Sequence, residues 1–231
     1  QNLDPQTFTD RIAEAYQAAW KQLDISNDYF IRTTAPRHEA AVRKFLERLD
    51  AAGDVYRSRY EGLYCVGCEQ FYQAEDLVAG LCPVHRRLPI PYAEENYFFR
   101  LSRYQDALLK ALTDPVDPNH YEVEPPARKH EVLGKLRAGL ADISISRATL
   151  TWGVPLPFDP SQVAYVWVDA LINYLSAIGY ADDPETFRRY WPADVHLMAK
   201  DILWFHAIIW PAMLLSAGLP LPRLIFAHGF V

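Results

Sequence analysis

Two short turns constrain this chain more than any other feature. Cys65-Val66-Gly67-Cys68 is followed, after 13 residues, by Cys82-Pro83-Val84-His85. A Cys-x2-Cys turn aims two thiolates at one point, with Gly67 easing the bend, and a Cys-x2-His turn supplies two further donors. Three sulfurs and one imidazole complete a tetrahedral set for zinc. Protein fills every position, so no water is left to activate, and zinc on Cys65, Cys68, Cys82 and His85 is expected to be structural. Such a site contributes on the order of 10–16 kcal/mol, apparent, in small peptides, and this region has few large aliphatic residues to fold on. A buried cluster of free cysteines is the plain alternative. A redox Cys-x-x-Cys leaves Cys82 and His85 without a role, and an odd total of three cysteines argues against a secreted disulfide framework.

The rest of the composition bounds the class. Half of the 231 residues are hydrophobic and 23% are charged, which excludes a disordered or collagen-like chain. Asp and Glu outnumber Lys and Arg by 29 to 23, a net charge of −6, whereas a free-standing non-specific nucleic-acid binder is usually basic. The start, Gln1-Asn2-Leu3-Asp4-Pro5, lacks the basic and apolar segments of a signal peptide. Both ends read as cuts through a longer, cytoplasmic protein. Ile202 to Leu221 is largely apolar and near the roughly 20 residues of a membrane span. His206, Pro211 and the Gly218-Leu219-Pro220 breaker make it a buried helix instead, and no membrane partner is expected.

Along the chain, residues 4–24 read as a helix capped by Asp4, with Phe8, Ile12, Ala15, Ala19 and Leu23 at helical spacing. Residues 37–52 read as a second, with Val42, Phe45, Leu46 and Leu49 as its stripe and Gly53 as its stop. From Val55 short aromatic and polar alternations take over. A strand is expected at Asn96–Phe99, helices at Ser102–Leu112 and about 128–140, and a loop at Thr113–Pro126, which holds four prolines. Ala164–Val168, Val195–Ala199 and Leu224–Ala227 read as three parallel strands joined by helices, half of a doubly wound sheet. Neither a Gly-x-Gly-x-x-Gly nor a P-loop occurs.

Several segments now line up in order. The zinc turn within Tyr60–Cys65, Glu95-Asn96-Tyr97-Phe98-Phe99, Ile143-Ser144-Ile145-Ser146-Arg147, Trp152-Gly153-Val154-Pro155, Tyr165-Val166-Trp167-Val168-Asp169-Ala170, and Lys200-Asp201-Ile202 with Phe205-His206 form one series. The series resembles the methionyl-tRNA synthetases, within the class I aminoacyl-tRNA synthetases, over essentially the whole chain. That resemblance implies an α/β fold, a Rossmann-type parallel sheet interrupted by a zinc-knuckle connective insertion. It divides the chain into 1–54, part of the first Rossmann half; 55–162, the insertion; and 163–231, the second half. It places one class I signature before Gln1 and the other beyond Val231, together with an acidic residue for the substrate's amino group upstream. The implied parent activates methionine with Mg-ATP and passes it to tRNA. The chain alone is expected to be inactive, and none of its residues is assigned as catalytic.

The resemblance also implies a site. Ile202, His206 and Trp210 lie four apart on one helix face, and Ala170 and Tyr174 form a similar pair beyond Trp167. From spacing alone these fit ordinary core packing better. By resemblance, Trp167, Ala170, Tyr174, Ile202, Phe205, His206 and Trp210 bind the amino acid, whose thioether packs well on aromatic rings. Asp201 is by spacing a helix cap and by resemblance a ribose acceptor; His228, Gly229 and Val231 match the segment beside adenine. By resemblance, Ala199 stands where many members have Gly, and Leu171 where some have Pro. Arg147 is either a structural ion pair or an organiser of the site, and Arg86, Arg87, Arg128 and Lys129 are as well explained by a solvated face as by tRNA phosphates. Two other functions compete: a non-catalytic zinc-knuckle module that binds RNA or protein, and a class I synthetase for another amino acid such as cysteine or a branched aliphatic one.

Overall fold

Helix α1, Pro5–Gln22, starts where Asp4 accepts a hydrogen bond from the Thr7 backbone N–H at 3.0 Å. The computed structural model describes residues 3–68, 70–72 and 76–230. Only Ala13 of α1 is buried, and the predicted stripe of Phe8, Ile12 and Leu23 is exposed. Helix α2, Pro36–Ala51, buries His38, Ala41, Val42, Phe45, Leu46 and Leu49, which recur at three- and four-residue steps. It ends as Gly53 predicts. Gly53 takes a φ of 72°, its N–H reaches the Asp50 carbonyl, and the Asp54 N–H reaches that of Leu49.

The middle of the chain is an antiparallel sheet. β1, Val55–Cys65, pairs with β2, Gln70–Tyr72, and along ten residues with β3, Ile90–Phe99, from Val55 opposite Phe99 to Tyr64 opposite Ile90. A 3-10 turn at Leu101–Tyr104 leads into α3, Gln105–Thr113. Next come β4, Glu122–Glu124; α4, Pro126–Ala138; and β5, Ile143–Ser144, which adds to β3. β6, Ser146–Arg147, and β7, Val163–Ala164, form a separate antiparallel pair.

The last third carries the parallel layer. α5, Val166–Ser176, and α6, Pro184–Tyr190, precede β8, Val195–Ala199. A turn at Lys200–Ile202 opens a helical stretch that widens to a π turn at Phe205–Ile209 and continues as α7, Trp210–Ser216. β9, Leu224–His228, then returns parallel to β8, from Val195 opposite Leu224 to Ala199 opposite His228. The fold is thus mixed α/β with a three-stranded parallel sheet in the order β4-β9-β8.

Two sequence expectations are corrected here. Residues 164–168 are not a parallel strand. The strand here is Val163–Ala164, antiparallel to β6; Tyr165 is extended as the helix N-cap, and the helix begins at Val166 rather than near Ala170. A five-residue apolar run suits strand or helix. The buried positions Val168, Leu171, Ile172 and Leu175 follow the helical period, and this burial decides it. The other correction is β4, inside the stretch read as a proline-rich loop. Val123 is buried between two glutamates, and the strand pairs with β9, a hundred residues away, so no local apolar run announces it.

The main core gathers around Phe45, Leu46, Leu49, Tyr121 and Trp210, and the apolar segment after Asp201 lies within it. No helix among the described residues is long and apolar enough to cross a membrane. Asp54, buried at the sheet edge, accepts from Arg103 Nη1 at 2.5 Å, from Ser216 Oγ at 2.7 Å and from the Tyr104 hydroxyl. A second small core consists of Cys65, Tyr72 and Cys82, with Cys68 and Leu77 against it.

Candidate functional site

The predicted metal ligands converge. The end of β1 and the turn after it carry Cys65 and Cys68, while the segment before β3 brings Cys82 and His85, and the four ligand atoms lie within 4.8 Å of one another. Cys68 Sγ is 3.5 Å from Cys65 Sγ, 3.3 Å from Cys82 Sγ and 3.0 Å from His85 Nδ1. Cys65 Sγ is 4.0 Å from the same nitrogen. A zinc tetrahedron with Zn–S bonds of about 2.3 Å has edges of roughly 3.7 Å, so the donor set fits the ion. Gly67 has a steric reason to be glycine: a Cβ there would lie 3.0 Å from the His85 ring.

The electrostatics of the cluster agree. Burial pushes the Cys68 thiol up to about 12. Burial also opposes ionisation of Cys82, but the His85 backbone N–H, 3.4 Å from its sulfur, and the Cys68 and Tyr72 contacts outweigh it and bring Cys82 down to about 6. Cys68 held protonated beside a readily ionised Cys82 is the imbalance that a divalent metal removes, since it would take both as thiolates. Tyr72, whose phenol burial holds protonated, places its Oη 3.3 Å from Cys68 Sγ and 3.7 Å from Cys82 Sγ.

The aromatic residues gather where α5 meets the helical stretch after β8. Trp167 stacks on Phe205, with ring centroids 4.1 Å apart and planes 13° from parallel. Two turns further along α5, Tyr174 Oη lies 2.8 Å from His206 Nε2. His206 Nδ1 is 3.0 Å from the Ile202 carbonyl, which only accepts, so Nδ1 carries the hydrogen. Burial lowers the His206 pKa and keeps the ring neutral, so Nε2 is the acceptor and the Tyr174 hydroxyl donates to it. Burial likewise pushes Tyr174 up to about 12. Ala170 and Ile202 are half-buried, and both stand on the elements that carry these pairs. Trp210 is fully buried and packs on Phe45 at 5.5 Å and Trp191 at 6.3 Å, reaching Tyr174 only at 6.4 Å.

The nucleotide candidates lie at one end of the parallel sheet. The register that sets Ala199 opposite His228 brings Asp201, His228 and Gly229 to the C-terminal ends of neighbouring strands, where open parallel sheets bind ligands. Asp201 is exposed and lies inside the turn Lys200–Ile202, whose N-cap position is Ala199 rather than Asp201. His228 Nδ1 is 2.5 Å from the Gly229 carbonyl, and Val231 lies outside the described residues. Arg147 is buried, donates to Ser146 O at 2.6 Å and Ser144 Oγ at 3.1 Å, and stacks 4.1 Å over the Tyr165 ring.

Two histidines escaped the sequence reading. His196, in β8, accepts from Trp210 Nε1 at 3.2 Å and lays its ring on Tyr174 at 4.0 Å. Burial, ahead of the nearby His206, lowers it to about 3. His38 meets Ser176 at 2.8 Å and Asp169 at 2.9 Å. The one local signal was alternation along β8, which assigns His196 to the inward face.

Fold and site together define an α/β protein with a parallel βαβ unit, an aromatic cluster beside it and a Cys3His ligand set. The family model described as tRNA synthetases class I (M) matches residues 1–88 and 73–231. The methionine–tRNA ligase of Thermotoga maritima is 51% identical over 99% of this chain and 36% of its own length, and the chloroplastic/mitochondrial one of Arabidopsis thaliana 47% over 99% and 37%. The solved Mycobacterium tuberculosis methionyl-tRNA synthetase in complex with methionyl-adenylate superposes with a TM-score of 0.91, at 44% identity, over 99% of this chain and 45% of that one. This chain belongs to the class I methionyl-tRNA synthetase family. It spans less than half the length of these relatives.

Proposed function

We propose that the longer parent protein is a cytoplasmic methionine–tRNA ligase. It activates methionine with Mg-ATP and transfers the methionyl group to tRNA, with residues 1–54 and 163–231 serving the Rossmann core and 55–162 the connective insertion with its zinc knuckle. The observation that carries this reading is the meeting of two aromatic pairs, Trp167 on Phe205 and Tyr174 on His206, from two separate helical elements. Their faces offer a polarisable thioether an apolar wall, and Ala170 leaves room beside them. The neutral Tyr174–His206 pair spends its hydrogens internally, so selectivity for methionine rests on packing and shape more than on hydrogen bonds to sulfur. Ile202 and Trp210 back this wall.

Asp201 accepts from the ribose at the strand ends, and His228, Gly229 and Val231 flank the adenine. Holding the carboxylate of methionine against the α-phosphate is then a matter of orientation and of charge on the phosphate. The zinc, held by Cys65, Cys68, Cys82 and His85, supplies folding energy to the knuckle and no chemistry. The chain covers 36% to 45% of the length of the relatives named above, which supports the reading that it is inactive alone. Methionine-dependent exchange between ATP and pyrophosphate is the test. The parent is expected to exchange with methionine and far less with cysteine or leucine, and this chain by itself not at all. An active parent that prefers another amino acid, or one with no exchange, refutes the reading.

A further inference from the structure

α5 is held from both sides. Its front carries Trp167, Ala170 and Tyr174, and its back carries Asp169 and Ser176. At roughly 100° per residue the two sets point about 140° apart around the helix axis. On the back, His38 from α2 bridges two turns of the helix: Nε2 lies 2.9 Å from Asp169 Oδ1 and Nδ1 lies 2.8 Å from Ser176 Oγ. Asp169 only accepts, so Nε2 carries a hydrogen. The ring is fully buried.

An Asp–His–Ser chain invites comparison with a hydrolytic triad, and the geometry refuses it. Ser176 is 1% exposed, sits in the last turn of α5 and also lies within reach of the Asn173 carbonyl, so no substrate can approach its oxygen. The carboxylate is on Nε2 and the hydroxyl on Nδ1, the reverse of the nucleophilic arrangement.

We infer that His38 is a positioning residue for the amino-acid pocket, acting through α5, an inference that rests on the function proposed above. Among the described residues, its two bonds are the side-chain hydrogen bonds that join α2 to α5. The neighbouring links from α2, Arg37 to Asp182 and Lys44 to the Tyr180 carbonyl, reach the chain beyond the helix and leave its rotation free. Two anchors seven residues apart on one face fix both the rotation of a helix and its slide along its axis. A rotation of about 15° would swing a side chain some 6 Å from the axis by roughly 1.5 Å, enough to part Trp167 from Phe205 and Tyr174 from His206. Misplacements of about 1 Å cost on the order of 100-fold where fit matters.

The experiment uses the full-length parent in the pyrophosphate exchange assay, with KM read for methionine and ATP separately. His38→Ala is expected to raise the methionine KM about tenfold or more and to change the ATP KM less than about twofold. His38→Gln, which keeps an amide N–H for Asp169, is expected to recover part of the loss. Arg37→Ala, which breaks an exposed ion pair of the same helix, is expected to leave both values alone. An unchanged methionine KM in folded His38→Ala overturns the inference, and so does a parallel rise for both substrates, the mark of general loosening. Should His38→Ala not fold, Ser176→Ala is read in the same way, and a selective rise or its absence decides. An inactive wild-type parent sinks the proposed function and this inference together; an active one with a flat His38 series sinks this inference alone.

Discussion

Acidification should weaken the pocket's scaffold through His196, and the size of the effect follows from its surroundings. The ring is buried between Tyr174, Trp191 and Trp210, and its Nε2 already accepts the Trp210 N–H, so an added proton meets no carboxylate among the described residues. Burial, with His206 as a minor contributor, lowers the pKa from 6.5 to about 3. Between those values the unfolded chain binds a proton that the folded chain refuses. Stability present above pH 6.5 therefore drains away as the pH falls toward about 3, at up to about 1.4 kcal/mol per pH unit. By about pH 5 the loss from this one group amounts to roughly 2 kcal/mol. Urea unfolding of the parent, followed by tryptophan emission at about pH 7.5 and about pH 5, reads it out. His196→Gln, which retains an acceptor for Trp210 and does not titrate, should flatten the wild-type slope by that amount whatever its absolute stability. Equal slopes in variant and wild type would show that His196 is solvated or paired, and the burial argument would fail.

Other perturbations test the remaining sites. Cys82→Ser, or chelation, should release one zinc per chain by elemental analysis and raise amide exchange in β1 and β2, while the core around Phe45 and Trp210 stays protected. Gly67→Ala should weaken zinc retention against a competing chelator about tenfold or more, because the new Cβ would press on the His85 ring at 3.0 Å. Tyr174→Phe leaves His206 Nε2 buried without its donor, which costs about 1–3 kcal/mol and should appear as a methionine KM raised roughly tenfold or more in the parent. An unchanged KM would take Tyr174 out of the pocket.

What the sequence determined by itself is chiefly local. The zinc turns are contiguous chemistry, and a Cys-x2-Cys or Cys-x2-His turn aims its donors whatever the rest of the chain does. The start of α1 and the stop of α2 were legible for the same reason, since Asp4 and Gly53 act on backbone groups a few residues away. The ordered motif series made the family legible as well. Tertiary structure decided what depends on distant partners. Residues 164–168 were apolar enough for a strand, and only burial of Leu171, Ile172 and Leu175 on one side makes Val166 onward a helix. β4 exists because β9 lies beside it, and nothing in Glu-Val-Glu among prolines says so. His38 is 131 residues from Asp169 and 138 from Ser176, and His196 meets Tyr174 across two elements. A short sequence window records spacing and chemistry, while a buried polar bridge is a property of two surfaces that only folding brings into contact.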